Sequence, residues 1–275
     1  ARAARDYLRR PPWREVFSLQ AGYLFQWRRF VDEGGFGFNA PGASSGVAGA
    51  HGLTLGAELY PLAASRSVPL AAAGLGFRAG VKLPFWADAV EKTAMGTSQP
   101  VYSISELQVD VGFLRWHWNV ANAPLRPELV LEGLYSYHSF KFTRSDLTNL
   151  TPPPSAGYQS VGAGIGTRLH FTRRISAHLG VSVSGLVGLG PMGETGTDTT
   201  STYGAGGGLY VHAEGGFFIP LVSRLGVFAT GFYDRYELSF KGEGGNNLID
   251  KDPARPVKTA TDQYAGITAG LRYWY

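Results

Sequence analysis

The chain has 275 residues with a net charge of +4, and 38 of its residues are glycine. With 44% hydrophobic, 13% aromatic and 17% charged residues, its composition is unlike that of a soluble helical or α/β enzyme and too apolar for a disordered chain. The chain has no cysteine, which excludes disulfides and thiolate chemistry. Its charges are dispersed along the sequence and give little support to nucleic-acid binding. It contains no run of 18 apolar residues, so no membrane-spanning helix is predicted.

The amino-terminal segment, residues 1–13, is basic and does not alternate in hydropathy. On the strand topology argued below it lies in the periplasm, and we predict that it contacts a protein, anionic lipid or the cell wall there. A frayed basic tail is the alternative. A signal peptide either preceded Ala1 and was removed, or was never there. The predicted contact residues are Arg2, Arg5, Arg9 and Arg10.

From residue 16 onward, apolar and polar side chains alternate with a period of two, as in strands with one apolar face. Phe17, Leu19 and Ala21, for example, alternate with Ser18 and Gln20. The pattern predicts about ten strands, with a range of eight to twelve, at 16–30, 48–62, 72–86, 103–118, 127–140, 158–171, 176–188, 203–218, 224–240 and 264–275.

The alternation fails at two places, after Phe113 in the fourth predicted strand and near Gly231 in the ninth. An extra residue in one strand reverses the side to which the following side chains point. We therefore predict bulges or displaced strand boundaries at both places.

The predicted connections alternate between long and short, independently of the hydropathy. Long extracellular loops and short periplasmic turns are typical of outer-membrane barrels. The pattern predicts an all-β, closed antiparallel transmembrane β-barrel over residues 14–275, with both termini in the periplasm. A soluble barrel is the alternative, but it would carry its charges outside. The long connections are 31–47, 87–102, 141–157, 189–202 and 241–263, and the short ones are 63–71, 119–126, 172–175 and 219–223.

The last eight residues, from Thr268 to Tyr275, read Thr-Ala-Gly-Leu-Arg-Tyr-Trp-Tyr. They resemble the assembly signal of bacterial outer-membrane β-barrel proteins, either small OmpA-like and OmpX-like barrels or porin-like ones. The resemblance implies a bacterial outer-membrane location in contact with lipid. It also implies that the barrel-assembly machinery reads Thr268, Gly270, Tyr273 and Tyr275. An ordinary edge strand with aromatic residues at its end is the alternative.

The polar faces of the predicted strands carry charges of both signs. Unpaired charges would be costly in a narrow lumen, so we predict a network of ion pairs that plugs it. A thin wet path lined by some of these pairs is the alternative. The predicted lumen residues are Arg28, Glu58, Arg78, Lys82, Glu106, Asp110, Glu128, Glu132, Arg168, Glu214 and Arg272.

Candidate catalytic and metal-binding residues are few. His138 adjoins Ser139 near a predicted rim, and Asp146 follows in the next loop. Two carboxylates, Asp250 and Asp252, are too few for a calcium site. The other histidines fall on different strands without metal-ligand spacing: His51, His117, His170, His178 and His212. We therefore predict no catalytic, cofactor or metal site.

These features favour a non-enzymatic membrane anchor or scaffold in a multi-protein envelope complex for secretion, motility or export. A narrow porin-like channel for small solutes or ions is the first alternative, but it would favour one sign of charge in the lumen. An enzyme with its site at the barrel rim is the second.

Overall fold

The computed structural model describes residues 15–32, 37–40, 49–65, 67–86, 89–92, 98–119, 127–144, 155–171, 175–193, 203–241 and 257–275. The basic segment 1–13, with Arg2, Arg5, Arg9 and Arg10, lies outside these ranges, as do Asp146, Asp250 and Asp252.

Within the described ranges the chain is almost entirely β-structure, with one short α-helix, Leu70–Ala73, and two 3-10 turns, Pro61–Ala64 and Gly190–Gly193. No described helix is long and apolar enough to span a bilayer. The strands are β1 (Phe17–Asp32), β2 (Gly37–Ala40), β3 (Ala50–Leu59), β4 (Leu75–Phe85), β5 (Ala89–Lys92), β6 (Ser98–Asn119), β7 (Glu128–Arg144), β8 (Ala156–His170), β9 (Ser176–Gly188), β10 (Gly206–Val222), β11 (Leu225–Phe240) and β12 (Thr259–Trp274).

The ten long strands form one closed antiparallel barrel, as the sequence predicts. Each pairs with the next along the chain, and β12 pairs with β1 from Ser18 opposite Trp274 to Asp32 opposite Ala260. The short strands β2 and β5 only extend the β1 and β6 edges. An even number of wall strands brings both termini to one end, called here the terminal end. The opposite end, from which the long connections emerge, is called the loop end.

The barrel exterior is apolar and its interior is polar, which is the reverse of a soluble barrel. Side chains such as Leu55, Phe77 and Leu179 are more than half exposed on the outside, whereas Arg28 and Glu128 are buried inside. Aromatic residues mark the rims, and at the terminal end the rings of Phe17 and Tyr275 stack 5.8 Å apart. The soluble alternative is therefore excluded.

The bulge predicted after Phe113 is confirmed, because the register between β6 and β7 shifts between Gly112 and Leu114. Phe113 and Leu114 consequently both point outward, with 50% and 55% of their surface exposed. The bulge turns Arg115 and His117 toward the lumen, where both are buried.

The irregularity predicted near Gly231 is wrong. β11 pairs with β12 without a shift, and Gly231 lies opposite Ile267. Phe228 and Phe232 point into the lumen and are buried there. The alternation seemed to fail because apolar side chains occupy both faces of this strand, not because its register changes.

The wall is interrupted between β4 and β6 near the loop end. Their pairing stops at Lys82 opposite Gln108, although β4 still pairs with β3 as far as Phe85. Pro84 lies in the unpaired part and has no N–H to donate. Just beyond it, the Trp86 indole N–H donates a hydrogen bond to Glu106 on β6, 2.5 Å away. This contact joins the two strands where the backbone ladder does not.

Candidate functional site

The lumen is filled by three layers of side chains, and the layer nearest the terminal end is an ion-pair cluster. Glu58 pairs with Arg115 at 3.4 Å and with Arg272 at 3.2 Å. Arg115 also pairs with Glu132, which in turn pairs with Arg78 at 3.1 Å. Arg115 thus contacts two carboxylates, and Glu58 and Glu132 each contact two guanidinium groups. Every charge in this series of ion pairs therefore has a partner of opposite sign.

Glu128 forms a second part of this terminal cluster. Its carboxylate accepts a hydrogen bond from His170 at 2.9 Å and lies 3.8 Å from both Arg168 and His117. The His117 ring also lies 2.9 Å from the Tyr60 hydroxyl. The side chain of Glu128 is 1% exposed; Oε1 accepts the hydrogen bond from His170, whereas Oε2 has only the two 3.8 Å contacts with cationic or ring nitrogens and no hydrogen-bond partner among the described residues.

Two groups at the terminal end lie outside the strands. Burial raises the pKa of the Glu15 carboxyl, because loss of solvent outweighs attraction to Arg272, 3.0 Å away. Burial likewise raises the pKa of the Tyr60 phenol, and nearby Glu58 adds to the effect. Both groups contact the ion-pair cluster at this end, Glu15 through Arg272 and Tyr60 through His117.

The middle layer centres on Asp234. Its carboxylate lies 2.6 Å from His212, 2.7 Å from the Tyr210 hydroxyl and 3.5 Å from the Lys82 ammonium. The ammonium also lies 3.6 Å from the centre of the Phe232 ring, within cation–π range. His212 extends the layer to Glu214, 3.4 Å away.

The loop-end layer contains the most buried ion pair. Arg28 donates two hydrogen bonds to Asp262, at 2.8 and 2.6 Å, and neither side chain has any exposed surface. Tyr158 and Tyr264 also donate to Asp262, at 2.7 and 3.2 Å. The guanidinium lies 3.8 Å from the centre of the Phe140 ring. A planar, bidentate pair sandwiched among aromatic rings is typical of arginine.

Glu106 is the second acid of this layer. It accepts hydrogen bonds from Gln26 at 2.9 Å and Trp86 at 2.5 Å, and lies 2.5 Å from His138 Nε2. The other ring nitrogen of His138 lies 3.0 Å from the Tyr236 hydroxyl.

An aromatic cap closes the lumen around this layer. Tyr236 stacks between Tyr158 and Tyr210, with ring centres 4.2 and 4.5 Å apart. The residues come from six wall strands and the adjoining loops, so the cap crosses the full width of the barrel. Its buried members are Phe30, Phe140, Ala156, Tyr158, Leu189, Met192, Tyr203, Tyr210, Tyr236, Leu238, Phe240, Val257, Ala260 and Tyr264.

A cavity of about 180 Å³ lies between the terminal cluster and the cap. Arg78, Glu132, His178 and Glu214 line it, and the Tyr210 ring of the cap also borders it. Glycines make room for the long charged side chains here: a Cβ on Gly180 would lie 3.3 Å from Glu214.

The structure places all eleven sequence-predicted lumen residues inside the barrel, nine of them beside an Arg, Lys, Asp or Glu of opposite charge. Glu106 contacts His138. Asp110 instead accepts hydrogen bonds from Ser136, at 2.6 Å, and Gln108, at 3.1 Å. The sequence prediction omitted Asp234 and Asp262, the two acids that hold the upper layers together. It also omitted Arg115, and the signal that could have identified Arg115 was the change of parity at Phe113.

The residues of the predicted assembly signal do not form one surface. Thr268 points into the lumen and Gly270 lies opposite Gly22 at the seam between β12 and β1. Tyr273 and Tyr275 are exposed at the terminal rim.

The predicted histidine and serine of a rim enzyme are not brought together. Both His138 ring nitrogens already have partners in the lumen, and neighbouring Ser139 extends from the other face of β7. Across the described ranges, no three histidine or acidic side chains are grouped as a metal site would require.

The closed wall, the apolar exterior and the even number of antiparallel strands define a transmembrane β-barrel of the outer-membrane type, whose exterior faces lipid. No protein-family model and no curated protein sequence matches the chain.

Several solved structures are similar to it at low sequence identity. Neisserial surface protein A is 10% identical, with 94% of this chain and 97% of that chain covered and a TM-score of 0.36. OprG from Pseudomonas aeruginosa is 10% identical, with 94% and 95% covered and a TM-score of 0.32. The translocator domain of the autotransporter NalP from Neisseria meningitidis is 10% identical, with 99% and 93% covered and a TM-score of 0.38.

Proposed function

We propose that the protein is a non-enzymatic anchor or scaffold of a multi-protein envelope complex, with its terminal end in the periplasm and its loop end outside the cell. The observation that carries the proposal is the filled lumen. Charges of both signs are paired with one another, and the aromatic cap spans the loop end. A barrel filled in this way offers its loops and mouths, and not its interior, for contact with other molecules.

The chemistry of the lumen supports binding over turnover. Asp262 receives four hydrogen bonds from three side chains, and His138 is bonded through both nitrogens. A general base or nucleophile must instead offer a free lone pair to a substrate. These groups therefore stabilise the closed barrel.

Site-specific photocrosslinking in cells tests the scaffold directly. A photoreactive amino acid replaces Lys241 at the loop end or Arg224 at the terminal end, both exposed, and Leu179 on the lipid-facing wall serves as the control. The proposal predicts a discrete protein adduct from at least one end and none from Leu179. Absence of adducts from both ends, in a barrel that is folded and abundant, would contradict it.

A narrow passage is the second candidate, and the cavity of about 180 Å³ favours it. Such a passage needs the aromatic cap to move, since Tyr158, Tyr236 and Phe140 are buried across the lumen. Single-channel conductance of the folded barrel separates the two candidates.

A further inference from the structure

Charges are rare on the outside of this barrel. Among the outward-facing strand side chains that the structure describes, only Arg29, Lys141, Arg235 and Glu237 are charged, and all lie near the loop end. An arginine on the lipid face costs about 2–4 kcal/mol at the bilayer midplane but close to nothing at the interface. The position of the two arginines relative to the membrane therefore decides what they can contact.

The two arginines lie side by side across three strands. Gln263 on β12 is opposite Arg29 on β1 and also opposite Arg235 on β11. Neighbouring strands are about 4.8 Å apart, so the two arginine backbones are separated by roughly 10 Å with an amide between them. Arg29, Gln263 and Arg235 are called here the arginine row.

The arginine row lies one hydrocarbon thickness from the opposite rim. Tyr273, in the terminal aromatic rim, is ten residues along β12 from Gln263. At about 3.3 Å per residue and a strand tilt of 35–45°, this corresponds to about 25 Å along the membrane normal, the height of the apolar band of such barrels. The row is therefore at the level of lipid headgroups.

On the side of the row that faces the membrane centre, a small outward residue lies between two aromatic ones. Ala265, the next outward residue on β12, lies between Trp27 and Tyr233 on the flanking strands. Both aromatic side chains are partly exposed on the exterior. The space over the small Ala265 side chain, between these two rings and the exposed Ile267 that follows it on β12, is called here the trough.

Arg235 retains capacity to donate hydrogen bonds. One guanidinium nitrogen pairs with Glu237 at 2.8 Å, but Nε is buried and has no hydrogen-bond partner among the described residues. Arg29 is exposed. Guanidinium groups bind phosphate oxygens in a bidentate manner, so the row offers the donors that a phosphate monoester needs.

We propose that the arginine row and its trough bind a phosphorylated glycolipid of the outer leaflet, of the lipid A type. The phosphate contacts Arg29, Gln263 and Arg235, and an acyl chain lies over Ala265. The proposal rests on the orientation proposed above, in which the loop end faces the outside.

Native mass spectrometry of the detergent-solubilised barrel tests the site, with bis-phosphorylated lipid A and the same lipid without its phosphates as probes. The double variant Arg29→Gln/Arg235→Gln removes both charges, and Lys141→Gln is the control on another part of the wall. Two lost charge-assisted contacts predict about tenfold or greater weakening for the double variant. Lys141→Gln should bind as the wild type does, and heat-modifiable gel migration confirms that each barrel is folded.

Three results would overturn the proposal: equal binding of the two lipids, undiminished binding by the double variant, or equal loss in Lys141→Gln. Orientation is tested separately, since the chain has no cysteine. Lys241→Cys should react with a membrane-impermeant maleimide in intact cells. Labelling only after lysis would refute the proposed orientation. It would also refute binding of a lipid of the outer leaflet, even if lipid A binds to the barrel in detergent.

Discussion

The Arg28–Asp262 pair allows the sharpest test of how the lumen is held together. Replacing Arg28 by methionine keeps an apolar stem of similar length but leaves the Asp262 carboxylate buried without its cation. Both side chains are fully buried, so water cannot compensate. Removing one partner of a buried pair costs about 3–5 kcal/mol, and we expect Arg28→Met to lower the free energy of unfolding by that amount.

A second variant separates lost charge from lost packing. Arg28→Met/Asp262→Asn has no buried charge at this position, while the amide can still accept hydrogen bonds from Tyr158 and Tyr264. We expect it to recover about 2 kcal/mol or more of the loss, because the uncompensated charge is gone. Glu237→Gln is the matched surface control, since it removes the exposed pair with Arg235 and should cost less than about 1 kcal/mol.

The assay is reversible denaturant unfolding of the barrel in phospholipid vesicles, followed by tryptophan fluorescence and checked by gel migration. The reasoning is refuted if Arg28→Met unfolds within about 1 kcal/mol of the wild type, the range expected for an exposed pair. It is also refuted if the double variant is less stable than Arg28→Met alone, because the cost would then come from packing.

The remaining predictions concern the seam, the cap and the wall interruption. A Cβ on Gly270 would lie 2.1 Å from a β1 carbonyl oxygen, so Gly270→Val should abolish the heat-modifiable folded form. Gly207→Val is the control: a Cβ at Gly207 meets nothing within 4 Å, so this variant should fold normally. Phe140→Ala, at a fully buried position, should lower stability by about 3–5 kcal/mol in the same unfolding assay; a loss below 1 kcal/mol would show that the cap is loosely packed. Trp86→Phe keeps an aromatic side chain, though a smaller one, and removes the indole N–H that donates to Glu106; the lost hydrogen bond should cost about 1–2 kcal/mol. An unchanged unfolding midpoint for Trp86→Phe would mean that this bond does not join the wall.

The sequence predicted the barrel well because a two-residue period must hold wherever one face meets lipid and the other meets the lumen. The strand predicted at 176–188 is observed with the same bounds. The alternation of long and short connections indicated independently that consecutive strands run between one end with long loops and one end with short turns. Strand ends were harder, since β12 begins at Thr259 and not at 264, within a segment whose composition is that of a loop.

The two missed acids show where sequence reasoning stops. Asp262 lies in the part of β12 that was taken for a loop, and Asp234 follows the stretch of β11 whose alternation is masked by Phe228 and Phe232. Both inward assignments needed the register, which only pairing with neighbouring strands defines. The aromatic cap was missed for a related reason: near the loop end the inward side chains become apolar, as at Phe30 and Phe140, and no longer differ in polarity from the outward ones.

Single-channel recording in a planar lipid bilayer tests the central claim, the closed lumen, most directly. The purified barrel is first shown to be folded by heat-modifiable gel migration, and an open porin in the same bilayer serves as the positive control. A lumen crossed by the buried cap and by paired charges predicts no steady conductance steps. Steady, reproducible steps from the folded wild-type barrel would contradict the closed lumen and establish the narrow passage instead.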